Sequence, residues 1–290
     1  MSTPDKRRLE FADELRRLRV EAGMSGKELA GKVRWHPSKV SKIENGKQDP
    51  TDSDVSTWLD AVEAPESVVH RMRDDLREIR IASSTWKRQL RTGHSRRQEY
   101  SRQIEGAAST IRVFELIVIP GLVQTAEYAR HVLISAAEFQ ETPRDTDEAV
   151  RIRLERQHAL YDSAKNIELL IAESALQYFV CPPEAMVAQI DRLIAICNLP
   201  TVRFGIIPAY SRLPTVPTNG FWIVGNTVLI ETVDTEINTD APSDLATYHK
   251  LADMLWSVAV EGDGARRILV ECSTAITQRH NLNRSTSSAD

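Results

Sequence analysis

Residues 25–46 read SGKELAGKVRWHPSKVSKIENG, and the spacing of apolar, capping and helix-breaking residues in that stretch predicts two short helices around a tight turn. Ser25 is a good N-cap, because its hydroxyl can accept from an amide that the first turn leaves unpaired. Leu29, Ala30 and Val33 then recur at helical spacing on one face. His36 falls where the next N-cap belongs, and Pro37 takes the first helical position, where a missing N–H costs nothing. Val40 and Ile43 are three apart and face inward, while Gly46 can adopt the left-handed conformation that stops a helix. The side chains left outward are Ser38, Lys39, Ser41 and Lys42, a polar and cationic face suited to base edges and phosphates. An ordinary helical hairpin with solvated lysines would carry the same short pattern.

The flanks weigh against that plainer alternative. Phe11, Leu15, Leu18 and Ala22 predict an amphipathic helix over residues 6–21, closed by Gly23. Thr51 with Asp54 three residues on has the form of a capping box, and Val55, Leu59 and Val62 supply the buried stripe of the helix that follows. Pro65 opens a fifth helix carrying Val68, Val69, Met72, Leu76 and Ile79. Five helices in this order match a lambda-repressor-like domain. The pattern S-x-x-E-L-A, then S-x-V-S-x-I-E-x-G, then P-T, over residues 9–62, resembles the XRE family of helix-turn-helix regulators. That resemblance implies sequence-specific binding of double-stranded DNA, with Lys27, His36, Ser38, Lys39, Ser41, Lys42, Asn45 and Lys47 as the candidate DNA-binding residues. One short recognition helix reads few base pairs, so a homodimer on a pseudo-palindromic operator is expected. Two positions depart from the family pattern. Arg34 stands where the turn usually has Gly, which would strain a left-handed backbone, and Gly26 stands where Gln is frequent.

At 290 residues the chain is long enough for a second domain with its own core. Its 41% hydrophobic and 27% charged residues are ordinary for a globular protein. No apolar run approaches the length needed to cross a bilayer, and the charged N-terminus does not read as a signal peptide, so the expected location is cytoplasmic and nucleoid-associated, with no membrane partner. Cys181, Cys197 and Cys272 are isolated and odd in number, which argues for free, at least partly buried thiols rather than disulfides or a metal site. No cofactor is indicated. The net charge of −4 conceals an asymmetry: +4 over residues 1–50, −5 over 51–70, +6 over 71–102 and −9 over 103–290. A basic DNA-proximal third on an acidic remainder suits a phosphate-facing domain joined to one with another task, although local charge runs can also be simple solvated faces.

The predicted organisation is α+β overall: an all-α domain over 1–80, a basic connector over 81–105, a mixed α/β domain over 106–276 and a disordered tail over 277–290. Trp86 in the connector is expected to anchor the two domains. In the larger domain, strand-like runs are predicted at 111–119, 167–172, 202–207, 221–224 and 228–231, with Gly225-Asn226 as a hairpin turn. Helices are predicted after Thr125, over 146–161 with Val150, Leu154 and Leu160 inward and Arg151, Arg153 and Arg156 outward, over 183–196, and finally over 243–260.

Several of these segments carry a second resemblance: I-R-V-F-E and I-P-G-L-V-Q-T-A-E-Y-A-R within 111–130, R-x-R-L-E-R-Q at 151–157, E-S-A-L at 173–176 and I-E-T at 230–232. Together with the tryptophan-containing recognition helix, they resemble actinobacterial XRE regulators of the WhiJ-like type, which carry a C-terminal domain of unknown function. This resemblance implies an antitoxin-like transcription regulator acting with a small partner protein encoded by an adjacent gene. Phosphate-binding glycine loops, nucleophile elbows and H-E-x-x-H are missing from the sequence. His131, His158 and His249 lie on predicted helices, and nothing in the chain spacing brings Glu173 and Glu231 together as an acid and base pair. An enzyme is therefore not expected. A one-component sensor whose larger domain binds a small molecule stands as the alternative to the partner-protein reading.

Overall fold

The computed structural model describes residues 4–83 and 89–287, with side chains over 7–79 and 89–282. Trp86 lies outside the described residues. The chain divides into two compact units, residues 1–85 with 235–244, and residues 86–234 with 245–290.

The smaller unit holds five helices: α1 Pro4–Glu21, α2 Gly26–Lys32, α3 Pro37–Glu44, α4 Asp52–Ala61 and α5 Glu66–Ser83. Both anticipated caps form with reciprocal hydrogen bonds, Ser25 with Glu28 on α2 and Thr51 with Asp54 on α4. The heptad-like stripe of α1 buries Phe11, Leu15 and Leu18 against Leu29, Val40, Ile43, Val55, Leu59, Met72 and Leu76. Trp58 fills the centre of this core, 1% exposed, and its indole N–H donates to the Leu15 carbonyl at 3.2 Å. Each such side chain removed from water contributes about 1.5–3 kcal/mol.

The larger unit begins with α6 Ser95–Ala107, followed by β1 Thr110–Glu115, a 3₁₀ turn at Gly121–Val123, α7 Ala126–Gln140, α8 Thr146–Arg156 and a second 3₁₀ turn at Gln157–Tyr161. Then come β2 Asn166–Ala172, the short α9 Ser174–Gln177, α10 Pro183–Ile196, β3 Val202–Ile207, β4 Phe221–Val224, β5 Thr227–Glu231, α11 Pro242–Trp256, β7 Val260–Glu261 and α12 Gly262–Ser287, while β6 Glu236–Thr239 and the first residues of α11 fall in the 235–244 segment of the smaller unit. The strands of this unit form one sheet in the order β5-β4-β1-β2-β3-β7. β1, β2 and β3 run parallel, and β4 pairs antiparallel with β1 and with β5. The parallel centre is shielded on both faces, so β2 buries Leu169, Leu170 and Ile171 in succession. The β4–β5 hairpin turns at Gly225, with φ +58°. The fold is thus helical followed by mixed α/β, as the sequence predicts. Among the described residues no helix is long and apolar enough to cross a membrane. Cys181, Cys197 and Cys272 are free and buried or partly buried.

Four expectations need correction. Residues 95–105 are not a connector: they form most of α6, whose first amides, His94 N–H and Ser95 N–H, donate to the Asp145 carboxylate at 2.7 and 2.8 Å. α6 buries Gln98, Ser101 and Glu105, so a domain boundary at 106 would cut off a packed helix. Arg153 and Arg156 point inward, 9% and 7% exposed, while Leu154 is 36% exposed. Apolar periodicity cannot register these arginines, because their partners lie on α6, some fifty residues earlier in the chain. The helix expected over 146–161 ends at Arg156 and tightens into the 3₁₀ turn. Finally, the chain does not end in a helix over 243–260 and a disordered tail. α11 stops at Trp256, and α12 continues to Ser287 after Gly262, with Ala265 and Leu269 buried.

Candidate functional site

The helix-turn-helix is held by caps and by a partly buried ion pair. Ser25 and Glu28 cap α2, and the backbone N–H and hydroxyl of Ser25 hold the Glu28 carboxyl below its ordinary range. α2 closes through Arg34 in the left-handed region, with φ 57°, and Trp35 N–H donating to the Ala30 carbonyl at 2.8 Å. His36 then caps α3, its Nδ1 accepting from Ser38 N–H at 3.2 Å. The far end of α3 is clamped to α1. Arg19 donates to both oxygens of Glu44 at 2.5 and 3.0 Å and to the Met24 carbonyl at 2.6 Å. Gly46, with φ +61°, ends the helix where a Cβ would stand 2.8 Å from the Leu9 side chain.

Seven of the eight candidate DNA-binding residues, Lys27, His36, Ser38, Ser41, Lys42, Asn45 and Lys47, are exposed. Ser38, Ser41, Lys42 and Asn45 share the outer surface of α3, where Asn45 Nδ2 donates back to the Ser41 carbonyl at 2.6 Å. Lys27 stands on α2 and Lys47 just past α3. Lys39 is different. Its Nζ lies 2.6 Å from Asp54 Oδ1 and 4.1 Å from the Trp35 ring centroid, so it ties α3 to the capping box of α4. Apolar periodicity and outward spacing gave no sign of that pair. The Lys-x₁₄-Asp separation and the neighbouring Trp35 are signals only once the helices are packed.

The larger unit contains a second concave site, a cavity of about 110 Å³ walled by α6, α7, α8, β1, β4, β5 and the first 3₁₀ turn. Arg156 forms a bidentate pair with Glu105 at 2.8 and 2.5 Å, with side chains 5% and 3% exposed. Arg153 donates to the amide oxygens of Gln98 at 3.0 Å and Gln124 at 2.6 Å. Gln98 Oε1 also accepts from Arg156 at 2.5 Å. Burial, then the neighbouring Arg156 charge, pushes the Arg153 guanidinium down to about 9, and it remains protonated at neutral pH. The indole N–H of Trp222 donates to Glu115 Oε1 at 2.7 Å. Removal from bulk water, with the nearby Glu231 charge, pushes the Glu115 carboxyl up to about 8.

Glu231 lines this cavity with Arg97, its Oε1 3.8 Å from the guanidinium. Glu173 does not join it; that carboxylate accepts from Ala209 N–H at 2.7 Å. The structure gives the two glutamates separate partners. The sequence gives no sign of the cavity, because its apolar periodicity places Arg153 and Arg156 on an outward helix face.

Residues 10–72 match a family model described as a helix-turn-helix domain. Residues 99–271 match one described as a domain of unknown function, DUF5753. No curated protein matches the chain.

Proposed function

The chain belongs to the DUF5753 domain family and carries an N-terminal helix-turn-helix domain, and from that premise we propose a transcriptional regulator in which α3 reads an operator and the larger unit receives the regulatory signal. The observation that carries the DNA reading is the outer face of α3, where exposed Ser38, Ser41, Lys42 and Asn45 sit on a helix fixed at both ends. Hydroxyl and amide groups suit base edges, and the lysines at 27, 42 and 47 suit flanking phosphates. The protein acts as a cytoplasmic, nucleoid-associated XRE-type homodimer, with two α3 helices spaced about 34 Å apart on a pseudo-palindromic site. A gel shift on DNA from upstream of its own gene, with light scattering for stoichiometry, tests this. Failure to shift that DNA at physiological salt would count against operator binding, and a monomer on the DNA against the dimer.

The cavity beside Arg153 favours a small molecule as the signal, and the reading assigns the chain no catalytic step. A second reading rests on charge. Residues 103–290 carry −9, which suits an antitoxin-like, WhiJ-like regulator whose larger domain captures a small basic partner from an adjacent gene. Raised salt would slow that association more than it speeds dissociation. Calorimetry of the full chain with the adjacent gene product decides: saturable heat supports the partner, and none removes it.

A further inference from the structure

The arginines that line the cavity of the larger unit differ in their partners. Arg156 is matched by Glu105, and Arg97 by Glu231. Arg153 has no carboxylate within ion-pair distance among the described residues, and the two amide oxygens that hold it orient the guanidinium without neutralising it. Glu115 lines the same cavity but is not within ion-pair distance of Arg153; it accepts from the Trp222 indole, and burial pushes its carboxyl up to about 8. Arg153 is therefore a buried cation, 9% exposed, held among the described residues by neutral amide oxygens. A buried cation without a counterion is unfavourable, and a bound anion relieves it.

The walls also define the rest of the ligand. Trp222, Leu229, Val118 and Val132 add an aromatic and aliphatic surface beside the guanidinium. Gly121 borders the arginines; a Cβ there would stand 3.7 Å from Arg153 Nε and 3.8 Å from Arg156 Nη2. The position thus leaves the guanidiniums approachable, and any longer side chain would occupy the space beside them. Most of the lining is polar, with this apolar strip on one side, and a concavity where polar groups converge beside an apolar surface suits a small molecule that carries both.

We propose that this cavity binds a small organic monoanion, a carboxylate on a short apolar body, with Arg153 as its counterion and Trp222, Leu229, Val118 and Val132 around the body. A single negative charge matches the one buried arginine whose partners are amide oxygens alone. The proposal rests on the small-molecule reading above and specifies the class of its signal.

The test is calorimetry on the full chain with benzoate as the probe, its neutral isostere benzamide, and inorganic phosphate. Benzoate is expected to bind saturably, one per chain, with benzamide and phosphate weaker by at least about tenfold. Gly121→Leu is expected to abolish benzoate heat with little change in thermal midpoint, and Arg153→Gln to weaken binding by at least about tenfold. If Arg153→Gln fails to fold, Gly121→Leu carries the test. No benzoate heat at millimolar concentrations, equal binding of benzamide or phosphate, or full binding by Gly121→Leu overturns the site. The same samples go into the gel shift. DNA binding without benzoate heat overturns the site and leaves the DNA reading standing. Benzoate binding that leaves DNA affinity unchanged supports the site and removes its role as the signal.

Discussion

Lys39 Nζ and Asp54 Oδ1 are 2.6 Å apart, an ion pair that joins the middle of α3 to the start of α4. Asp54 also accepts from Thr51 N–H, so one carboxylate both caps α4 and holds the lysine. A phosphate must compete with that carboxylate and with the Trp35 ring for the ammonium. Asp54→Asn keeps an oxygen for the cap but removes the charge. It is expected to steepen the slope of log K against log salt by up to about one unit, as Lys39 is freed for DNA. The accompanying loss of stability should be about 1 kcal/mol. An unchanged salt slope would show that Lys39 does not reach phosphate even when released.

Lys42 is exposed on the same helix, and its side chain makes no ion pair among the described residues. Lys42→Ala should lower DNA affinity and reduce the salt slope by about one unit. Stability should change by less than about 0.5 kcal/mol. The result to look for is separation of the two effects, with a gel shift weakened at an unchanged urea midpoint. Lys39→Glu would not separate them, because it would set a second carboxylate against Asp54.

Arg34 holds φ 57° between α2 and α3. A side chain in the left-handed region costs about 1–2 kcal/mol, partly offset on substitution by the greater unfolded-state freedom of glycine. Arg34→Gly is therefore expected to stabilise the protein by about 0.5–1 kcal/mol, read as a higher urea midpoint. A destabilised variant would mean that the arginine side chain makes up for its backbone.

Glu115 gives stability a pH dependence. Its folded value, about 8, lies above its ordinary 4.5. The contribution is therefore complete below 4.5 and is lost as pH rises through about 8. The groups around it are Arg97 and Glu105 on α6, Tyr128 on α7, Arg153 and Arg156 on α8, Trp222 on β4 and Glu231 on β5. Glu115→Gln keeps an acceptor for the Trp222 N–H and cannot ionise. Over that interval wild type should lose on the order of 1–2 kcal/mol more than the variant, allowing for water at the cavity mouth. Parallel pH profiles of the thermal midpoint would refute the assignment.

The helix-turn-helix was legible because its determinants are local. Ser25, Pro37, Gly46 and the Thr51–Asp54 pair act within a turn of where they stand, and the buried stripes of α1 to α5 repeat at helical spacing. Strand positions in the larger unit were legible for a similar reason, since β2 and β3 are short apolar runs between turn residues. Arg153, Arg156 and α6 were misread because their stabilisation is non-local: an arginine reads as surface until Gln98 and Glu105 are placed beside it. α12 escaped because its polar C-terminal half resembles a tail, while the residues that dock it, Ala265 and Leu269, come early. Spacing alone places Lys39 outward, and only the packing of α4 shows what holds it.

Gln98 is a neutral group shared by both buried arginines, its Oε1 accepting from Arg153 at 3.0 Å and Arg156 at 2.5 Å. Its amide orientation is therefore fixed, because the opposite flip would point N–H groups at two cations. Replacing the amide by a carboxylate, Gln98→Glu, keeps that oxygen and adds one negative charge with almost no change in shape, in contact with the guanidinium that has no carboxylate partner. Such a chain would carry its own counterion: its cavity would be electrically filled with no ligand bound, refusing benzoate while showing the operator affinity of ligand-saturated wild type. The regulator would then be locked in its responding state by a single atom exchanged on α6.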